Sequence, residues 1–430
     1  MKRPLKEEIV DYLHLVDLPS TKVHHLAGFG TMDWERTIDW LRDAGIALYF
    51  LQRLKDTNST EILPPEVLAR LERNLASNRK RVVCMENAFA LLNQRFNEAG
   101  VRYAAVKGLS LVPEFIHDEC LRTYSDLDYL VEDGSLTKAQ SVVEKAGYDL
   151  IHRGEQVLVF APRLLRHPRS AEDQYEARVL HTVEVHLDIV DSELDIPLGE
   201  RQFSARNLIA RTWNGSTFYA LPEEEVFLLQ VRHAFSHVVN CWPRLSWLLE
   251  IGYFLKQKVD DAEFWGRVER EVGNNRVLRD VVVVMAELSA RMFGAPLSTM
   301  LNHWSGSLRP GARLWIEIYA RKWVLAAAPG TASGLLPPSK LVLFLHQQFM
   351  TDQKSQQRPG RVWLLHPPRL RRVLRSMRER PLSLLQPHFW HRAFFHANAG
   401  LRYLLEVPRW RYLNRKATRW NRESAAVVRS

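Results

Sequence analysis

The sequence predicts an α+β fold, a small sheet core flanked by helices. Three observations point there. Residues 32–56 and 65–99 repeat apolar side chains three or four apart, the spacing of a helix face. Residues 101–189 break into short apolar or alternating runs separated by glycines, as strands in a compact sheet do. From Pro222 onward the helical spacing returns.

Residues 1–30 are mixed in pattern. A helix over 32–56 follows, with Asp33 as cap and Trp34, Ile38, Leu41 and Ala44 on one face. Pro64-Pro65 opens a long helix running to about Ala99 and closed by Gly100. Its stripe is Val67, Leu71, Leu75, then Val82, Met85, Phe89, Leu92 and Phe96. Tyr103–Lys107 reads as a buried strand, Gly108 as a turn, and 109–116 as a short helix. A second strand covers Ser125–Val131, and Leu136–Ala146 is a helix ended by Gly147. Strands near 148–153 and 157–161 lead through a polar loop, 162–178, to an alternating strand at Thr182–Ile189. The later helices break near Pro310, Pro329, Pro337-Pro338 and Pro367-Pro368. The expected division is 1–100 helical, 101–215 sheet core, 216–350 helical, and 351–430 a basic, aromatic-rich helical tail.

A chain of 430 residues can bury a core of ordinary size and is expected to form two or more domains. Its 46% hydrophobic and 25% charged content is that of a globular protein. Cys84, Cys120 and Cys241 include no C-x-x-C pair, so neither a disulfide framework nor a zinc site is expected. The charged Met1–Glu8 stretch is unlike a signal peptide, and no apolar run approaches the roughly 18 residues of a membrane span. The expected location is cytoplasmic.

Charge is unevenly placed. Residues 354–430 hold 18 Lys and Arg against Glu379, Glu406 and Glu423, a balance of +15 where the whole chain carries +10. Interleaved with these are aromatics such as Trp390, Tyr403, Trp410 and Tyr412. This composition suits an anionic membrane surface, such as the inner membrane, or a nucleic acid. It also suits a helical subdomain whose arginines simply face water.

The chemistry is concentrated in Ser125-Asp126-Leu127-Asp128-Tyr129-Leu130-Val131. On a strand, Asp126 and Asp128 project to the same face. Two carboxylates so close repel unless a cation sits between them or one is protonated. Mg²⁺, which prefers oxygen ligands, resolves this; a solvated D-x-D turn is the plainer alternative. The strand–Gly108–helix junction can offer backbone N–H groups to a phosphate. Downstream, Glu184, His186 and Asp188 fall on one face of the alternating strand. Such a kit suits two-metal phosphoryl or nucleotidyl transfer.

Lys107-Gly108, Arg122, the Asp126–Val131 strand, Gly147-Tyr148 and Val183-Glu184-Val185-His186 together resemble the uncharacterised bacterial nucleotidyltransferases of the polymerase-β-like superfamily. Leu221-Pro222-Glu223, His233 and Arg244-Leu245-Ser246-Trp247-Leu248-Leu249-Glu250 look like that family's helical part, so the likeness spans about residues 30–300. The chain departs from the superfamily in its turn, where Gly108 is followed by Leu109 and Ser110 comes one position later.

The resemblance implies a polymerase-β-like sheet core that moves an NMP from an NTP to an acceptor hydroxyl with release of pyrophosphate. Asp126, Asp128 and Glu184 would be the catalytic acids and would hold Mg²⁺ (or Mn²⁺). Lys107, Gly108, Ser110 and Arg122 would bind the triphosphate. Other readings stay open at this point. Asp188 could replace Glu184, His186 could be packed or functional, and Arg122 could pair with an acid such as Asp118. His233 and His237 have zinc-compatible spacing but no third ligand in view. A non-catalytic nucleotide-binding or regulatory protein on the same scaffold, docking through its tail, is the alternative function.

Overall fold

The computed structural model describes residues 4–16, 23–164, 172–177, 181–187, 207–240, 244–325, 340–350 and 387–427. Helices α1 (Leu5–Tyr12), α2 (Val23–Leu26), α3 (Thr31–Asp43) and α4 (Ala47–Asp56) precede the long α5 (Pro65–Glu98). The sheet region comprises β1 (Tyr103–Val106), β2 (Asp126–Val131), α6 (Leu136–Lys145), β3 (Tyr148–Arg153), β4 (Val157–Pro162) and β5 (Thr182–His186). A hairpin of β6 (Ile209–Trp213) and β7 (Ser216–Ala220) follows. Then come α7 (Glu223–Asn240), α8 (Leu245–Lys258), α9 (Ala262–Val272), α10 (Arg276–Phe293) and α11 (Thr299–Gly306). The last helices are α12 (Pro310–Ile318), α13 (Ala320–Val324), α14 (Leu343–His346) and α15 (Pro387–Val427). The architecture is α+β, as the sequence pattern requires. Among the described residues no helix is long and apolar enough to cross a membrane.

Several local expectations need correction. The single helix expected over 32–56 is two helices, because Gly45 takes φ +74 and turns the chain between them. A Cβ there would stand 2.8 Å from Ser246 Oγ, so glycine is required by space as well as by backbone. Gly30, not Asp33, is the N-cap of α3; Asp33 reaches back to accept from the Gly30 N–H at 3.3 Å. The short helix expected at 109–116 is a 3₁₀ turn over Gly108–Leu111. The β6–β7 hairpin was not anticipated and runs past the division expected at 215. Asn214 and Gly215 take φ +47 and +76, the pair of positive values that a tight two-residue hairpin turn needs. The breaks at Pro329, Pro337-Pro338 and Pro367-Pro368 lie outside the described residues.

The strand order is β1-β2-β5-β4-β3. β2 runs antiparallel to β1 and parallel to β5, and every other neighbouring pair is antiparallel. Alternation sorts the side chains of β2. Leu127, Tyr129 and Val131 enter a core with Val183, Val185, α6 and the C-terminal half of α5. Asp126, Asp128 and Leu130 point to the other face, where Leu130 packs near Leu221.

Helix α5 serves two cores. Val67, Leu71 and Leu75 belong to the helical core, whereas Val82, Met85, Phe89, Leu92 and Phe96 belong to the sheet core. Between them, buried Asn78 donates to the carbonyls of Cys120 and Arg122 at 2.7 and 2.8 Å. Buried Arg81 donates to Tyr124 O at 2.8 Å and Glu176 O at 2.8 Å. These bonds satisfy carbonyls that the sheet ladder does not reach and fix the chain entering β2.

Phe89 is the hub of the sheet core. Its ring lies 5.1 Å from Phe218 and 6.3 Å from both Tyr129 and Trp213. Phe89→Ala is expected to lower stability by about 3–5 kcal/mol, read by urea denaturation. A loss below about 1 kcal/mol would mean that the hairpin is not packed there as described.

Candidate active site

The parallel register sets Asp128 opposite Glu184 and Leu130 opposite His186. Asp128, Glu184 and His186 therefore converge from adjacent strands, with ligand atoms that all lie within 4.8 Å of one another. Lys107, at the end of β1, reaches the same place. Its Nζ donates to Asp128 Oδ1 at 3.0 Å, and His186 Nε2 lies 3.1 Å from that oxygen and 3.3 Å from Glu184 Oε2. Asp126 stands two residues back on the same face, where its Oδ2 accepts from Ser125 Oγ at 3.1 Å. It lies beside the tight group of three, so the site brings His186 in as a further candidate ligand. Asp188 lies outside the described residues.

The electrostatics divide the two aspartates. Burial alone would raise Asp128, but Lys107 and His186 outweigh it and hold the carboxyl well below its usual range. Burial, then the charges of Asp128 and Glu184, push Asp126 up to about 6. Lys107 and His186 respond in kind. Burial acts against their charged forms, yet the carboxylates beside them raise both. The cluster thus carries acids that repel one another, which is the situation a divalent cation relieves, and its O and N donors fit Mg²⁺ or Mn²⁺.

Because Asp126 binds its proton more tightly folded than unfolded, the metal-free protein loses stability as pH rises from about 4 through about 6. A bound cation offsets that repulsion and competes with the same proton. Mn²⁺ should therefore raise Tm more at about pH 7.5 than at about pH 5. Equal shifts at both pH values would show that Asp126 does not feel the ion.

The glycine turn is strained where it meets the site. Lys107 and Gly108 take φ +54 and +46 in succession, a conformation unfavourable for lysine. From that backbone the Lys107 side chain reaches Asp128. Ser110 is buried, and its hydroxyl donates to Lys107 O at 2.7 Å. In this conformation it shapes the turn and does not offer its proton to a phosphate. Arg211 of the unanticipated hairpin locks the same turn from outside, donating to Ser110 O at 2.9 Å and Val112 O at 2.8 Å.

Arg122 is held from the helical half. Its Nε lies 3.5 Å from Glu250 Oε1, and its Nη1 donates to Gly108 O at 3.5 Å. Asp118 is not its partner; Asp118 Oδ1 accepts from the Cys120 N–H at 2.8 Å. Glu250 is fully buried and also accepts from Tyr49 Oη at 3.5 Å. A second buried guanidinium, Arg244, donates to Thr123 Oγ1 at 2.9 Å. Arg122 is ion-paired with Glu250, and the charges of Arg122 and Arg244 both act on that carboxylate and on Asp126. Guanidiniums beside a set of acids suit an anionic substrate that arrives with a cation. Arg244 and Glu250 lie in the stretch that resembles the family's helical part, and nothing local in the sequence assigns either a role.

His233 and His237 pack with rings 4.6 Å apart, and Trp247 lies 5.2 and 4.4 Å from them. Burial, Lys107 and the neighbouring imidazole hold His233 well below its ordinary value; burial and Lys107 hold His237 down to about 4. Among the described residues, the group able to hold a metal is Asp128, Glu184 and His186, not this pair.

A family model described as "Uncharacterised nucleotidyltransferase" matches residues 30–294. No curated protein and no solved structure matches the chain.

Proposed function

The chain belongs to the uncharacterised nucleotidyltransferase family, and on that footing we propose that it is a metal-dependent enzyme moving an NMP from an NTP to an acceptor hydroxyl. Pyrophosphate is the leaving group, and the acceptor is a small molecule, a sugar or a protein. The observation that carries this reading is the convergence of Asp128 and Glu184 across the parallel β2–β5 pair, with Asp126 on the same face.

In this reading Asp126, Asp128 and Glu184 would hold Mg²⁺ (or Mn²⁺), with His186 as an added donor. A bound ion would supply charge neutralisation at the phosphates. The protein's own groups do the remaining work. Arg122 and Arg244 face charge that gathers on the phosphates in the transition state, where fixed cations are most effective. Lys107 balances Asp128 in the free protein and lies close enough to meet a phosphate oxygen. The Lys107–Gly108 turn, set by Ser110 and Arg211, presents its backbone to the triphosphate. Glu184, partly exposed and 3.3 Å from His186, would either complete the metal site or take the acceptor's proton.

The test incubates the chain with each labelled triphosphate, Mg²⁺ and a host-cell metabolite extract. Mg²⁺-dependent label on a metabolite or on protein, with release of pyrophosphate, is expected. Nucleotide binding without turnover in any extract would favour the non-catalytic alternative.

A further inference from the structure

Helix α15 has two faces, and only one is covered among the described residues. Its inner face is built on Tyr403 and Trp410, both buried, whose rings lie 4.7 and 4.8 Å from Phe344. Glu406 on the same side accepts from Tyr319 Oη at 2.7 Å. The outer face carries Leu401, Leu404, Leu405 and Tyr412, which are 55, 55, 71 and 66% exposed. At about 100° per residue these four fall on one stripe. They are four of the 12 large apolar side chains exposed among the described residues, gathered within a single stretch of helix. Scattered exposed leucines need no explanation, but an aligned stripe does.

The flanks of the stripe are cationic. Arg402 and Lys416 border one side and Arg411 the other, while Arg415 and Arg419 continue the line of the stripe beyond Tyr412; all five are exposed. Between Leu401 and Arg419 no acid lies on the outer face, since Glu406 bonds inward to Tyr319. Residues 354–386 add nine Lys and Arg against Glu379 alone.

We propose that α15 lies in the plane of an anionic lipid bilayer. Leu401, Leu404, Leu405 and Tyr412 enter the headgroup–acyl boundary, and the flanking arginines and lysine meet lipid phosphates. An apolar centre with basic borders is the arrangement in which long cationic side chains reach headgroups while the stripe is buried. The other occupants fit less well. A single-stranded nucleic acid is gripped by a basic centre with stacking aromatics, whereas this centre is aliphatic with one tyrosine. A second copy would set one basic face against another. The inference does not rest on nucleotidyl transfer.

The experiment is flotation of the full chain with vesicles of phosphatidylcholine, with and without phosphatidylglycerol. The phosphatidylglycerol vesicles should retain at least about tenfold more protein. The double variant Leu401→Asp/Leu405→Asp and the double variant Arg411→Glu/Arg415→Glu should each fall to the phosphatidylcholine level with Tm unchanged. A Leu405→Cys chain labelled with an environment-sensitive fluorophore should shift to the blue on the anionic vesicles, which reads insertion without altering the helix charge. Absence of binding to the anionic vesicles overturns the proposal. So does binding that the leucine pair leaves unchanged, or a fluorophore that stays in water. Retention of a labelled single-stranded RNA by the chain, abolished only by the arginine pair and without vesicle binding, would assign the surface to nucleic acid instead.

Discussion

Asp128→Ala should reduce Mg²⁺-dependent label transfer by about a thousandfold or more, the scale seen when one electrostatic element of a preorganised site is removed. Asp128 is the meeting point of the site. It takes Lys107 at 3.0 Å and His186 at 3.1 Å on a single oxygen, and it faces Glu184 across the strands. Truncation leaves the Lys107 ammonium buried beside a gap, so some loss of stability accompanies the loss of activity. Asp128→Asn separates the two effects, because it keeps the shape and one acceptor oxygen while removing the charge. The folded-state depression of Asp128 stabilises the native protein above the ordinary Asp range, and that contribution fades as pH falls. The asparagine variant should lack this acid-limb dependence, hold no Mn²⁺ in calorimetry, and remain folded. Asparagine protein that still transfers label at more than about a tenth of the wild-type rate would remove Asp128 from the chemistry.

Glu250→Gln should cost about 3–5 kcal/mol of stability, because it removes the fully buried carboxylate paired with Arg122 and leaves that largely buried guanidinium without its ion partner. Burial already works against the Glu250 charge, and the two guanidiniums offset that penalty only in part. Activity should fall as well, since Arg122 would lose the anchor that holds it beside the Gly108 carbonyl. A double variant, Glu250→Leu/Arg122→Met, should recover much of the stability, as buried ion pairs replaced by apolar residues often do. It should not recover transfer. Thermal melts and the transfer assay on both proteins give the comparison. Full stability in Glu250→Gln would mean that the arginines are neutralised elsewhere.

The readable parts of this chain were those encoded locally. The period-two pattern of β5 placed Glu184 and His186 on one face, and the D-x-D spacing placed Asp126 and Asp128 on theirs. The parallel register that joins those faces is a property of the sheet and has no local signature. The Arg122–Glu250 pair is of the same kind, since its partners are far apart in sequence and nothing near either residue names the other. The β6–β7 hairpin did have a signal in Asn214-Gly215. Its strands hid it, because both faces of β6 are at least partly exposed and its alternation is weak. Asn78 and Arg81 sit where the apolar stripe of α5 pauses between Leu75 and Val82. A polar gap on a helix reads as a solvent face, whereas here it marks the crossing from one core to the next.

That crossing has a mechanical meaning. A single uninterrupted rod of 34 residues, about 50 Å long, is keel to both halves of the protein. Such a rod cannot bend at its middle without breaking its own ladder of amide bonds and releasing its grip on the segment that leads into the acids. The two halves are therefore not a jaw with α5 as its joint, and any opening for an incoming acceptor has to arise elsewhere in the chain.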